Sequence, residues 1–374
     1  MRIGIITFHT ALNYGAVLQT YATFFTLKSL GCDVKVIDYR AAFNELRFAP
    51  KGISYFFSVR NLVNVFLRNG YQRFSKIPFD AFVKKYIETT KPYFQPEELK
   101  ELNEQFDIFL SGSDQVWNLA CTEGDDTYYL PFVEDSSKRN AYAVSFGYTR
   151  IPKGKESKYT ELIKGFNHIS VREKAGVDIV RLLTGKDATL VLDPTLLLTC
   201  NHWKKMADFT MVPKGNYLLM YLMSEDKELI NFARMLANRR NLEIIYINQR
   251  LFKTRDALNI KDISPEQWIG LFGNADSVVT NSFHGLAFAI NFNKSFYIKY
   301  IKNSIANSRL ETILDLLDLH NRRIGSGNFN YESDIDYNVV NAKLNNLRIK
   351  SMDYINVVLN DEKEMFGKYY CSNI

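Results

Sequence analysis

Short apolar runs alternate with segments of helical periodicity along most of this chain, and that alternation constrains its fold more than any other feature. Ile3–Phe8 has the pattern of a buried strand, an amphipathic helix begins at Tyr14, and Val34–Tyr39 has the pattern of the next strand. Such a β-α-β unit requires parallel strands joined by a right-handed crossover. The alternation continues as far as Ser295–Lys299. It predicts an α/β protein with two α/β domains.

Breaks in this alternation predict that the 374-residue chain is divided into three segments. An N-terminal α/β domain is expected at 1–200, with a helical insertion at 41–100, where the strand–helix rhythm is broken. A C-terminal α/β domain is expected at 201–325. A helical extension follows at 326–374, and the pattern assigns it to neither domain.

Charge, cysteine usage and hydropathy exclude several classes of protein. The 47 Lys and Arg against 41 Asp and Glu give a net charge of +6, which suits an anionic substrate or an acidic membrane surface but is too dilute to indicate nucleic acid. The four cysteines lie far apart and no His-Cys-Asp-Glu cluster has metal-ligand spacing, so we expect no metal site and a reducing cytoplasm. There is no signal-peptide pattern, and no apolar run reaches the roughly 18 to 20 residues of a membrane helix.

The turn His9–Ala16, between the first strand and the first helix, is one candidate ligand site. It lies at the carboxyl edge of a parallel sheet, where ligands gather, and the amides of a helix N-terminus favour anions. Asn13 and Tyr14 are the candidate contacts. Gly15 is the only glycine of the turn, so the dinucleotide fingerprint and the P-loop are both missing. A helix cap with a turn glycine explains this segment equally well.

A second candidate follows the predicted buried strand Phe106–Leu110. Ser113, Asp114 and Gln115 come directly after it, at the same edge of the sheet. Carboxylate and amide groups can hydrogen-bond sugar hydroxyls, and Trp117 offers a stacking face. In the alternative interpretation, Asp114 simply caps a helix that begins at Gln115.

Arg172 is the third candidate, because it ends a short predicted strand and precedes a helix. From that position its side chain reaches the same edge of the sheet. A guanidinium group there can bind a carboxylate or a phosphate in a bidentate manner. An ion pair with Glu173 or with another carboxylate fits the spacing equally well.

The sharpest candidate is the polar turn Thr280–Leu286, where a buried strand meets a helix in apolar sequence. Ser282 can cap the helix and Gly285 allows a close approach of the backbone. The helix dipole and the first amides make a phosphate seat. His284 can then donate to a phosphate oxygen or act as a general acid. A capping histidine without a catalytic role is the alternative.

Taken together, these blocks resemble the polysaccharide pyruvyl transferase family. They fall in order across roughly residues 1–315, leaving 41–100 and the tail beyond about 325 uncovered. Each block is weak alone, whereas the ordered set is specific. The matching segments are Ile3–Phe8, Asn13–Gln19, Ser113–Asn118, Tyr142–Gly147, Ile169–Glu173, Leu192–Leu197 and Thr280–Gly285.

The resemblance implies a GT-B-like pair of Rossmann-like domains with the active site in the cleft between them. It also implies transfer of pyruvate from phosphoenolpyruvate onto a sugar as a ketal, with release of phosphate and without a cofactor. A galactose-type residue of a lipid-linked, cell-surface glycan precursor is the expected acceptor. Since phosphoenolpyruvate is a cytosolic metabolite, we expect a cytoplasmic enzyme that works at the inner face of the membrane.

This reaction suggests roles for the candidate residues. Phosphoenolpyruvate carries a carboxylate and a phosphate, so at least two cationic or amide-rich contacts are needed to offset their desolvation. The chemistry suggests catalytic roles for His284 as the acid or the phosphate stabiliser, for Arg172 as an anion contact, and for Asp114 in orienting or deprotonating the sugar. The expected donor contacts are Arg172, Ser282, His284, Gly285 and Arg309, and the expected acceptor contacts are Asn13, Tyr14, Ser113, Asp114 and Gln115.

Two other functions stay open at this point. A nucleotide-sugar-dependent GT-B glycosyltransferase would use the same architecture, and so would a non-catalytic glycan-binding relative. A glycosyltransferase should carry an acidic or aromatic clamp for the nucleotide in its second domain. The sequence shows no clear clamp of that kind.

The segment Ser54–Lys76 mixes basic and aromatic residues and generates a prediction about the membrane. Each Lys or Arg near an anionic leaflet contributes about 1 kcal/mol, so four of them should give reversible binding that salt weakens. We expect co-sedimentation with anionic vesicles at low salt and its loss at high salt. Binding that survives replacement of Arg60, Arg68, Arg73 and Lys76, or no binding at all, would instead indicate an inserted helix packed on the first domain.

Overall fold

The computed structural model describes residues 1–40, 76–248, 254–302, 304 and 307–371. The basic and aromatic segment for which we predict membrane contact lies outside the described residues, except for its last residue, Lys76. None of the described helices combines the length and the apolar character that crossing a bilayer requires.

The chain forms two compact units, and the division differs from the expected domain limits in two places. The first unit comprises Met1–Pro194 together with Arg348–Ile374, and the second comprises Thr195–Leu347. The boundary therefore falls slightly before the expected position at 200. The C-terminal extension, which the sequence pattern could not assign, belongs to the first unit from Arg348 onward.

A six-stranded parallel sheet forms the centre of the first unit. Its strands are β1 (Arg2–Ile6), β2 (Asp33–Val36), β3 (Ile108–Ser111), β4 (Arg139–Val144), β5 (His168–Val171) and β6 (Thr189–Leu190). They lie in the order β2-β1-β3-β4-β5-β6, and every pairing is parallel. Because all strands run the same way, the polar residues that follow them gather at one edge.

The second unit contains a five-stranded sheet of the same kind. Its strands are β7 (Tyr217–Tyr221), β8 (Glu243–Ile247), β9 (Leu258–Ile260), β10 (Ser277–Thr280) and β11 (Ser295–Ile298). Their order is β11-β10-β7-β8-β9, again with parallel pairing throughout. The sequence pattern did not predict β9, a short strand at the edge of this sheet.

Helices connect most of the strands. In chain order they are α1 (Tyr14–Ser29), α2 (76–86), α3 (Glu156–Lys164), α4 (Lys174–Thr184), α5 (Pro194–Leu197), α6 (Cys200–Met206), α7 (Lys227–Arg240), α8 (Pro265–Asn274), α9 (Phe283–Asn291), α10 (Ser308–Leu317) and α11 (Tyr337–Cys371). Short 3-10 segments lie at Pro96–Glu104, Thr127–Tyr129, Ser136–Lys138 and His320–Arg322. The α/β class with two Rossmann-like sheets is confirmed.

Aromatic packing stabilises both cores. Most residues of α1 are buried, because α2 covers it: the rings of Tyr14 and Phe79 lie 4.9 Å apart. In the second unit, the ring of Trp268 lies 4.0 Å from that of Phe272 and 4.8 Å from that of Phe288. The aromatic residues in these contacts are therefore buried core residues.

Helix α11 is held to the first sheet by buried hydrogen bonds as well as by apolar contacts. The Tyr354 hydroxyl donates to the carbonyl oxygen of Ala141 in β4 at 2.8 Å. The Ser351 hydroxyl oxygen accepts from the backbone N–H of Leu192 at 2.9 Å. These contacts explain why the C-terminal segment belongs to the first unit.

This docking predicts the effect of removing a single hydroxyl group. Tyr354→Phe should lower the free energy of unfolding by about 1 kcal/mol, because a buried donor to the Ala141 carbonyl is lost. Ile349→Ala, at a position of the same helix that is 59% exposed, should change it by less than about 0.5 kcal/mol. Urea unfolding of both variants measures this, and equal effects would contradict it.

Candidate functional site

A buried ion triad lies at the carboxyl edge of the first sheet. Arg172 follows β5; its Nη1 donates to Asp193 Oδ2 at 2.5 Å and its Nη2 to Asp114 Oδ1 at 2.8 Å. The side chains of Arg172 and Asp193 are fully buried, whereas that of Asp114 is 12% exposed. Burial alone would lower the pKa of the guanidinium, but the two carboxylates raise it above its ordinary value. Arg172 is thus a permanent cation, and Asp114 is the most exposed member of the triad.

The loop after β3 presents Asp114 through a backbone conformation that few residues adopt. Asp114 has a φ of 75°, in the left-handed region, which aspartate tolerates better than most residues. Its carbonyl oxygen accepts from the N–H of Ser145 after β4 at 2.9 Å. Because turns and not a helix follow at Gln115, the helix-cap interpretation of Asp114 is wrong.

Further hydrogen bonds extend the triad along the sheet edge. The Ser113 hydroxyl donates to Asp193 Oδ2 at 3.1 Å, and the Ser113 carbonyl oxygen accepts from the Thr7 hydroxyl at 2.9 Å. Gln19 in α1 donates in turn to the Thr7 hydroxyl oxygen at 2.9 Å. Residues that follow β1, β3 and β6 are thereby joined in one network.

The expectation that Arg172 is an open two-point contact for phosphoenolpyruvate needs correction. Its two terminal nitrogens donate to Asp114 and Asp193, so the ion-pair alternative describes the structure. Glu173, the partner suggested by sequence proximity, accepts from the hydroxyl of Ser145 and from the backbone N–H of Phe146. The carboxylates that fix Arg172 come from distant parts of the chain.

Two aromatic side chains that we expected at a sugar site are buried. Tyr14 is 1% exposed and packs in the core against α2, and Trp117 is fully buried. The indole of Trp117 stacks on Tyr129, with ring centres 5.1 Å apart, and donates to the Ser111 hydroxyl oxygen at 3.0 Å. Both are packing residues, because a polar turn in the sequence does not show which way its aromatic neighbour points.

The remaining acceptor candidates have local hydrogen-bonding roles. The Asn13 side chain caps α1, with Oδ1 accepting from the N–H of Ala16 at 3.2 Å. Gln115 is half-buried, and its Oε1 accepts from the Asn118 amide at 3.2 Å. Of the predicted acceptor contacts, Asp114 and Ser113 are the two that the ion-triad network includes.

A histidine–aspartate pair that the sequence did not indicate lies at the same edge. His9 follows β1, and its Nε2 is 3.0 Å from Asp38 Oδ1 beyond β2. Arg40 donates to the same carboxylate through Nε and Nη2 at 3.1 and 3.0 Å. Burial alone would raise the pKa of Asp38, but the bonds from His9 and Arg40 lower it to about 2. The adjacency of β1 and β2 was the one available signal.

In the second unit, the turn between β10 and α9 has the geometry that its sequence predicts. The Ser282 hydroxyl oxygen caps α9 by accepting from the N–H of Gly285 at 3.3 Å. The Thr280 hydroxyl oxygen accepts from the N–H of Ser282 at 3.0 Å. A Cβ at Gly285 would lie only 2.5 Å from Thr280 Oγ1, so the close helix–strand approach requires glycine there.

His284 is the second residue of α9 and is 7% exposed. Its ring centre is 5.2 Å from that of Phe283, and the guanidinium carbon of Arg309 lies 5.8 Å from the centre of the Phe283 ring. The structure therefore brings Arg309, which follows at the start of α10, close to the His284 turn. No group of three His, Cys, Asp or Glu within the described ranges is arranged to hold a metal ion.

A family model described as polysaccharide pyruvyl transferase matches residues 13–303. The chain belongs to this family. It is therefore a transferase with a role in polysaccharide modification. No curated protein matches the sequence significantly.

Solved structures resemble this family member along its whole length at low identity. UDP-GlcNAc 2-epimerase from Neisseria meningitidis, bound to UDP-GlcNAc, is 9% identical with a TM-score of 0.51, and the match covers 100% of both chains. A putative UDP-N-acetylglucosamine 2-epimerase from Listeria monocytogenes (10% identity, 95% and 88% coverage) and a glycosyltransferase from Rickettsia africae (11%, 98% and 98%) reach TM-scores of 0.49 and 0.48. At this identity the likeness to the Neisseria meningitidis enzyme concerns the fold alone, and it agrees with two Rossmann-like domains of the GT-B class.

The ion triad of this transferase predicts a large loss of stability when its cation is removed. Arg172→Met should lower the free energy of unfolding by about 3–5 kcal/mol, because two buried carboxylates lose their counter-charge. Arg181→Met is the control: Arg181 pairs with Asp187 at 2.7 Å, but their side chains are 64% and 81% exposed. The control should cost less than about 1 kcal/mol. Denaturant unfolding compares the two variants, and similar losses would show that the triad contributes little.

Proposed function

We propose that this transferase moves pyruvate from phosphoenolpyruvate onto a galactose-type residue of a cell-surface glycan precursor, as a cyclic ketal, and releases phosphate. The proposed reaction uses no metal or organic cofactor. One observation carries the proposal: His284 lies in the first turn of α9, within the family-matched segment, at a helix N-terminus suited to an anion.

The reaction joins two sugar oxygens to one carbon of the donor. A proton is added to the methylene carbon of phosphoenolpyruvate, which becomes the methyl group, and a sugar hydroxyl oxygen attacks the neighbouring carbon. The bond from that carbon to the phosphate oxygen breaks, and a second sugar hydroxyl closes the ring. Of the two hydroxyl protons lost by the sugar, one balances the methyl group and the other leaves with phosphate. An acid that can protonate the methylene carbon or the leaving phosphate oxygen, and a group that orients the sugar, are therefore needed.

The His284 turn supplies the donor side of this scheme. The dipole of α9 favours the negative charge of the phosphate at its N-terminus, and we assign to the His284 imidazole the role of general acid or phosphate stabiliser. Gly285 permits the tight approach to Thr280 that fixes the turn. Arg309, across the Phe283 ring, adds positive charge beside the seat.

The acceptor side is assigned to Asp114. With its Oδ1 held by Arg172 Nη2, the Asp114 carboxylate is assigned the role of orienting the sugar by accepting a hydrogen bond from one of its hydroxyls. Its partial exposure leaves room for that contact, while Arg172 and Asp193 stay buried behind it. Arg172 therefore acts on the acceptor through Asp114.

We further propose a lipid-linked acceptor at the cytoplasmic face of the membrane. The donor is a cytosolic metabolite, and Ser54–Lys76 offers basic and aromatic residues together. Vesicle binding tests the location independently of turnover.

A nucleotide-sugar-dependent glycosyltransferase is the second candidate. Its support is the full-length likeness to an epimerase whose structure contains UDP-GlcNAc. At the low sequence identity of this match, the likeness concerns the fold alone. Phosphate release from phosphoenolpyruvate in the presence of a galactoside supports the first function, and release of UDP from a UDP-sugar supports the second. If neither phosphate nor UDP is released, the remaining candidate is a non-catalytic glycan-binding relative.

A substitution at His284 tests the assigned role. His284→Ala should keep its circular dichroism spectrum and lose about 10²–10⁴-fold in phosphate release, the usual contribution of a general acid. His202→Ala is a matched control, because His202 is a partly buried histidine in α6 that the scheme does not use. Retention of more than about a tenth of the rate in His284→Ala would contradict acid catalysis.

A further inference from the structure

Arg323 lies at the carboxyl end of the second sheet, although it is far from β11 in sequence. After α10 and the 3-10 turn His320–Arg322, the chain returns and Arg323 pairs in parallel with Ile298, the last residue of β11. The N–H of Ile324 donates to the Ile298 carbonyl oxygen at 2.8 Å, which fixes this register. Arg323 thus occupies the position that a further strand of the sheet would have.

This register places Arg323 near the His284 turn. Ile298 also pairs with Thr280, the last residue of β10. Neighbouring strands lie about 4.8 Å apart, so the Cα atoms of Arg323 and Thr280 are separated by about 10 Å. His284 follows Thr280 in the first turn of α9, within the reach of an arginine side chain and a small ligand.

The guanidinium of Arg323 is stacked on an aromatic ring. Its central carbon lies 4.7 Å from the centre of the Tyr300 ring, and its buried Nε has no hydrogen-bond acceptor in the part of the chain that the structure describes. Across that same part, no carboxylate forms an ion pair with it. Stacking covers a face of the guanidinium plane and leaves the in-plane N–H groups of Nη1 and Nη2 for two oxygens of a carboxylate or phosphate.

Charged groups of α10 also face Tyr300. Glu311 and Asp315 of α10 act on the Tyr300 hydroxyl, and Arg323 opposes them. Asp315 is engaged by His320 Nε2 at 2.5 Å, and Glu311 is exposed to solvent. The positive charge of Arg323 is therefore compensated only at a distance.

We propose that Arg323, on its Tyr300 platform, binds a carboxylate or phosphate group of a substrate. The proposal deepens the function given above and rests on it for the identity of the ligand: the anionic group belongs either to phosphoenolpyruvate or to an acidic acceptor. Arg323 lies beyond the family-matched residues 13–303, so family membership alone does not assign it. Arg309 stacks on Phe283 in the same region, so Arg323 is the second aromatic-stacked arginine near the His284 turn.

Direct binding tests the proposal without turnover. Titration calorimetry with phosphoenolpyruvate, and separately with inorganic phosphate, should show affinity reduced about tenfold or more in Arg323→Gln, since charged hydrogen bonds are lost. Arg323→Lys should give an intermediate loss, because an ammonium group keeps the charge but not the planar fork. Tyr300→Phe should bind as wild type does, whereas Tyr300→Leu should weaken binding.

A matched control exists in the same unit. Arg239 also stacks on a tyrosine, with its guanidinium carbon 5.5 Å from the centre of the Tyr331 ring, but it pairs with Glu332 at 2.6 Å. Arg239→Gln should therefore leave ligand affinity unchanged. Circular dichroism and thermal unfolding establish whether each variant is folded. If Arg323→Gln does not fold, the comparison is made with Arg323→Lys.

The outcomes separate the two sources of the anion. Weaker binding of phosphoenolpyruvate and phosphate assigns Arg323 to the donor. Unchanged donor binding, with a raised KM for an acidic acceptor and an unchanged KM for a neutral galactoside, assigns it to the acceptor. Wild-type behaviour in both measurements overturns the proposal. Absence of phosphate release by the wild-type enzyme would instead refute the proposed reaction, and calorimetry would still report on Arg323.

Discussion

The ion triad of Asp114, Arg172 and Asp193 is the interaction on which the organisation of the first unit's edge depends. Two carboxylates share one buried guanidinium, so the group as a whole carries a negative charge. Burying such ions costs more free energy than burying apolar side chains would, but the ion pairs define the geometry of the loops that carry them. The triad fixes the loop ends after β3, β5 and β6 and leaves one carboxylate partly open to solvent. The left-handed backbone at Asp114 is maintained by this same set of contacts.

How far the sequence could predict each element depends on how local its determinants are. The last strand, predicted at Ser295–Lys299, is found at Ser295–Ile298, because a short apolar run after a helix specifies it. The His284 turn was also predictable, since its cap and its glycine are neighbours in the chain. Edge elements such as β9 carry too short and too exposed a pattern for such a prediction.

The partners of Arg172 could not be predicted in this way. Asp114 and Asp193 approach it only because the strand order β3-β4-β5-β6 brings distant loops together, whereas sequence proximity suggested Glu173. The same limitation explains the errors at Tyr14 and Trp117, whose burial depends on α2 and on Tyr129. Arg323 reaches the second sheet by a returning segment that no periodicity marks.

The two units differ in the charge they offer at their sheet edges, and this difference bears on which substrate each can hold. The first offers a partly exposed carboxylate backed by a buried guanidinium, an arrangement that repels a doubly anionic donor and accepts hydrogen bonds from hydroxyls. The second offers a helix N-terminus, a histidine and two aromatic-stacked arginines, which stabilise negative charge. The proposed reaction therefore assigns the donor, with its phosphate and carboxylate, to the second unit and the sugar acceptor to the first.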